Sequence, residues 1–95
     1  MQITIKEEFF INGLRFQIKQ AIAGVPMNQR EITSILTEAK RYQERKIPVR
    51  EINKRYFTQV TFLSRNSSDF LSQIQEEKLP SIHQLEQLIK ILESL

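Results

Sequence analysis

Few residues in this chain could do covalent chemistry. It has 95 residues, no cysteine, no tryptophan and one histidine, His83. A hydrolase triad needs a histidine or a substitute base beside a nucleophile. His83 stands next to Gln84 and Glu86, in what reads as the first turn of a helix, with no such partner in its neighbourhood. Without cysteine there is no thiol catalysis, no Cys-ligated zinc and no disulfide framework. Gly13 and Gly24 stand far apart, so no glycine-rich loop can cradle a phosphate. Glu7-Glu8 and Glu76-Glu77 are adjacent carboxylates. Sequence neighbours diverge on a helix and take opposite faces of a strand, so both pairs read as solvated surface. The expectation is a non-enzymatic protein with no catalytic residue, no metal site and no cofactor.

Binding chemistry is better represented. The net charge is +3, and it is unevenly distributed. Residues 28–57 carry eight basic and four acidic side chains, a balance of +4, whereas residues 58–95 carry three basic and five acidic, a balance of −2. The basic density lies in Lys40, Arg41, Arg45, Lys46, Arg50, Lys54 and Arg55. Phosphate contacts from such residues supply most of the affinity of nucleic-acid binding and make it salt-dependent. Tyr42, Tyr56 and Phe57 are interleaved with them, and exposed aromatics of this kind stack on RNA bases. A solvated helix face with pairs such as Glu51–Arg55 is the plainer reading of the same residues.

The elements that must position these groups follow from periodicity. Over residues 2–19, Ile3, Ile5, Phe9 and Ile11 alternate with polar residues, as do Leu14, Phe16 and Ile18, and Asn12-Gly13 separates the two runs. This is the pattern of a β-hairpin on a type I′ turn. A helix competes, because Phe10, Leu14, Ile18, Ala21 and Ile22 also share a helical face. The hairpin is the preferred reading. Beyond Gly24-Val25-Pro26, Asn28 and Glu31 resemble a capping box. Ile32, Ile35, Leu36, Ala39 and Tyr42 then predict a helix of about 17 residues. Pro48 breaks it, and Val49–Tyr56 reads as a short helix. Residues 57–64 fit either a strand or a helix. Phe70, Leu71 and Ile74 mark another helix, and Ser81 with Gln84 caps a last one, whose stripe is Ile82, Leu85, Leu88, Ile89, Leu92 and Leu95.

Residues 66–75, Asn-Ser-Ser-Asp-Phe-Leu-Ser-Gln-Ile-Gln, followed by Lys78-Leu79-Pro80-Ser81 and the leucines at 85, 88 and 92, resemble the second half of a lambda-repressor-like (Cro/CI, XRE-type) helix-turn-helix domain. The resemblance covers roughly residues 49–95. It departs from the family pattern at Thr61, Arg65 and Glu77, where small residues or glycine are usual. It implies Val60, Leu71 and Ile74 as inward residues. It implies Ser67, Ser68, Asp69, Ser72 and Gln73 as the side chains facing the DNA major groove, where a glutamine can pair with adenine through two hydrogen bonds.

The expected fold is therefore mainly α: a helix-turn-helix-like bundle preceded by an N-terminal β-hairpin. One domain spans 1–95, with 1–27 as the hairpin arm and 28–95 as the helical part. The expected function is a small DNA-binding transcriptional regulator, working as a homodimer. The alternative is a helical adaptor that binds a partner protein through Leu85, Leu88, Ile89, Leu92 and Leu95. No stretch approaches the roughly 18 apolar residues of a membrane span, and MQITIKEEFF lacks the form of a signal peptide, so a cytoplasmic location is expected.

Overall fold

The computed structural model describes residues 3–95. Among them the chain forms five α-helices and no strand: α1 (Ile5–Ile22), α2 (Pro26–Gln43), α3 (Phe57–Asn66), α4 (Ser68–Gln73) and α5 (Ile82–Glu93). Single 3₁₀ turns at Val49–Glu51 and Lys54–Tyr56 occupy the stretch expected as a short helix. The ambiguous segment after Tyr56 is helical. No helix is long and apolar enough to cross a membrane among the described residues.

The N-terminal β-hairpin is not there, and α1 takes its place. Met1 and Gln2, the start of the expected arm, lie outside the described residues. Two physical terms decide for the helix. Thr4 and Glu7 form a capping box: the Thr4 hydroxyl accepts the Glu7 N–H at 3.0 Å, and the Glu7 carboxylate accepts the Thr4 N–H at 3.2 Å. Helical spacing also buries Ile11, Leu14, Ile18 and Ala21 together. The three larger side chains contribute about 1.5–3 kcal/mol each, against about 1 kcal/mol lost by placing Gly13 in a helix interior. An isolated two-stranded hairpin is marginal in water, and the fold offers no sheet to extend.

A three-residue loop turns the chain back from α1 to α2. Gly24 adopts φ 92° there. The Gly24 N–H donates to Ala21 O at 3.0 Å and the Val25 N–H to Gln20 O at 3.0 Å, closing the helix end on a left-handed residue. Gln17 on α1 then hydrogen-bonds Glu31 on α2. The helix α2 starts at Pro26, where a missing N–H is harmless, two residues before the expected Asn28.

Ile32, Ile35, Leu36 and Ala39 of α2 meet Val60, Phe62 and Leu63 of α3, Phe70 and Leu71 of α4, and the buried face of α1 in one core. α5 lies against α1 and closes that core with Leu85, Leu88, Ile89 and Leu92. Its Ser81–Gln84 capping box forms as the sequence suggests. Arg15 on α1 pairs with Glu93 on α5 at 3.3 Å.

Candidate nucleic-acid interface

α4 is the shortest helix, and three neighbours pin it. The Lys40 ammonium of α2 donates to Leu71 O at 3.0 Å and Ser72 O at 3.4 Å, placing a cation on the carbonyls at the C-terminus of α4. Gln43 Nε2 of α2 donates to Ser68 O at 3.2 Å, at the other end of α4. Ser67 alone joins α3 to α4. It is buried, and its hydroxyl donates to Leu63 O at 2.6 Å. Ser67, expected to face DNA, is thus a helix-end bond inside the fold. Val60, Leu71 and Ile74 are buried, as inward residues should be.

Ser68, Asp69, Ser72 and Gln73 are exposed along the outer side of α4. Asp69 lies in the first turn, where a carboxylate complements the helix dipole. The Ser72 hydroxyl donates to Asp69 O at 2.8 Å. The Gln73 side chain makes no hydrogen bond within the described residues.

The basic residues divide into two groups. Arg41 pairs with Glu76 and Glu77 at 3.4 Å. Lys46 pairs with Glu44 at 3.2 Å, and its ammonium is the main reason the Glu44 carboxyl lies below its ordinary range. Lys40 adds a 3.5 Å contact to the same carboxylate. Arg55 pairs with Glu31 at 3.1 Å. Arg45, Arg50 and Lys54 are exposed and have no ion pair among the described residues. Exposed pairs contribute about 0–1 kcal/mol, so that of Lys46 can yield to a phosphate at little loss, whereas Arg55 is held on a Glu31 carboxylate that is only 15% exposed.

Arg45 has a second peculiarity. Its φ is 60°. The Arg45 N–H donates to Tyr42 O at 3.0 Å and the Lys46 N–H to Arg41 O at 2.8 Å. These are the bonds that close α1 on Gly24. α2 therefore ends on a conformation that favours glycine, with an arginine in it, and it does so where Gln43 and Lys40 hold α4.

Other expected residues are placed differently. Leu85, Leu88, Ile89 and Leu92 are core, covered by α1 and its neighbours; only Leu95 of that stripe, with Ile82, is exposed. This corrects their expected role as a partner surface: α5 is apolar on one side because that side faces inward. Tyr42 and Tyr56 pack against the core and are not free stacking platforms. Burial, then Glu31, raises the Tyr56 phenol above its ordinary range. An open groove of about 800 Å³ runs along α2, with Arg30, Ser34, Glu38 and Tyr56 in its walls, and none of the residues expected to contact DNA lines it. His83 is exposed in the first turn of α5. The sequence reading missed the left-handed turn at Arg45. Its signal was faint: a helix ending five residues before Pro48, with no glycine to close it.

No protein-family model, curated protein or solved structure matches this chain.

Proposed function

We propose that this protein is a small, non-enzymatic DNA-binding regulator, with the outer side of α4 in the major groove and the end of α2 on the phosphate backbone. The observation that carries the reading is Arg45. It is exposed and unpaired among the described residues, and it occupies a left-handed turn that costs an arginine about 1–2 kcal/mol. The other non-glycine residue at positive φ among the described residues, Glu77 at 61°, is held inside the fold, its N–H on Thr37 Oγ1 and its carboxylate on Arg41. Arg45 has no such side-chain partner, and strain kept there points to use outside the fold. Ser68 and Gln73 lie on the helix that the end of α2 holds in place, so side chains able to read base edges sit beside one able to grip phosphate. In the helix-turn-helix reading, α3 and α4 are the motif pair, and Arg45, Arg50 and Lys54 set the register on the backbone.

The test is fluorescence anisotropy of the native protein on duplex DNA across a salt series. Three phosphate contacts give a log–log slope of about −3. Arg45→Ala combined with Lys46→Ala weakens binding on every sequence and flattens the slope. Gln73→Ala weakens binding only on a selected site. Absence of any salt-dependent DNA affinity refutes the proposal.

A further inference from the structure

The apolar residues left over from the hairpin pattern form the outside of α1. At about 100° per residue, Ile5, Phe9 and Phe16 fall within about 40° of one another, directly opposite Leu14 and Ile18 of the core face. They are 88%, 73% and 63% exposed. Gly13 lies between the two phenylalanines along the chain, about 60° round the helix from the middle of their stripe. A Cβ built on Gly13 meets nothing within 4 Å, and its backbone is ordinary helix. Nothing inside the fold therefore asks for glycine there, although it weakens the helix. Its bare backbone opens a shallow depression bordered by Phe9, Phe10, Gln17 and Gln59. Glu8 and Lys19 run along one flank of the same face, both exposed and without an ion pair among the described residues.

We infer that this face is a homodimer interface, in which α1 packs antiparallel on α1 of a second copy about a twofold axis at Gly13. The symmetry accounts for each feature. Residue n then lies level with residue 26 − n of the second copy, so Phe9 comes within one residue of level with Phe16 of that copy, on both sides of the axis. Bare backbone at Gly13 lets the helices approach closely at the crossing. An antiparallel twofold keeps like flanks together, so Glu8 faces Lys19 of the second copy, and Lys19 faces its Glu8. A self-complementary patch of this kind is what a twofold interface requires. Two phenylalanines and Ile5 offer roughly 400–500 Å² per copy, near the lower limit for a specific contact, so the dimer is weak and depends on concentration. The contact is independent of the DNA reading, and its test uses no nucleic acid.

Sedimentation equilibrium of the native chain over a concentration series shows a monomer–dimer transition. Phe16→Glu stays monomeric with an unchanged helical circular dichroism spectrum, because its side chain is outside the core. Gly13→Ala is the sharper variant: it melts at a higher temperature than the native chain yet dimerises about tenfold more weakly. Glu8→Lys and Lys19→Glu each weaken the dimer, and the two together restore it, which a parallel arrangement would not allow. A native chain that stays monomeric throughout, a Gly13→Ala chain that dimerises as tightly as the native one, or a charge swap that fails to restore binding would overturn the proposal.

Discussion

The first two helices end in the same way, and a different residue stands at the same point of each turn. α1 closes on Gly24 at φ 92° and α2 on Arg45 at φ 60°, each through the same two backbone bonds. At Gly24 the requirement of the backbone and the residue agree. At Arg45 they disagree, in a solvent-exposed position where no packing compensates. Gly13 is the converse: a glycine in a helix interior, where alanine would serve the fold better. Sequences that otherwise agree with their fold depart from it where function asks something else. Arg45 and Gly13 fall at the two surfaces assigned here to contact with other molecules, whereas Glu77, the other non-glycine residue at positive φ among the described residues, is tied to Thr37 and Arg41 within the fold.

The largest expected effect sets the scale for this contrast. Leu88→Glu places an unpaired carboxylate in the fully buried face of α5, and the cooperative thermal transition disappears. Survival of a folded N-terminal part would show instead that α5 is dispensable to the core. Next comes Gly24→Arg. The Cβ has room, so the loss is the left-handed penalty alone, about 1–2 kcal/mol, read by urea denaturation; an unchanged midpoint would dissolve the contrast between the two turns. Thr4→Ala removes the cap that selects helix over hairpin and lowers stability by about 1 kcal/mol.

A pH effect accompanies that cap. The Arg65 hydrogen bond, then the Thr4 backbone N–H, hold the Glu7 carboxyl below its ordinary value of 4.5. A carboxylate depressed in the folded state stabilises it fully above the unfolded value and ceases to do so as pH falls through the folded one. Urea midpoints of the native chain therefore decline below about pH 4.5, and Arg65→Ala makes that decline shallower.

Where one periodicity dominated, the sequence was legible. α2 and α5 carry single apolar stripes, and their existence, extent to within a few residues, and the Ser81–Gln84 cap were readable. α1 was not, because it is apolar on two faces. Phe9 and Phe16 belong with Ile11 and Leu14 at a period of two, and Leu14 and Ile18 belong with Ala21 at a helical period; only the tertiary core shows which set is buried. Thr4-x-x-Glu7 was the deciding local signal. For the site, the exposure of Ser68, Asp69, Ser72 and Gln73 followed from where Phe70, Leu71 and Ile74 turn inward. Ser67 did not, since one residue joins α3 to α4 and its hydroxyl is needed at the break. The basic residues were legible as a group, but their division into paired and unpaired depends on Glu31, Glu44, Glu76 and Glu77, brought near by folding.

The smallest change in stability gives the most direct test. Arg45→Gly keeps the turn and removes both its strain and its guanidinium. Stability measured by urea denaturation and DNA affinity measured by anisotropy, on the same preparation, are predicted to move in opposite directions: the fold gains about 0.5–1 kcal/mol, and binding weakens on all duplexes, with a shallower salt slope. A variant that is more stable and binds DNA as tightly as the native chain, with the same slope, would contradict the assignment of Arg45 and the end of α2 to the phosphate backbone.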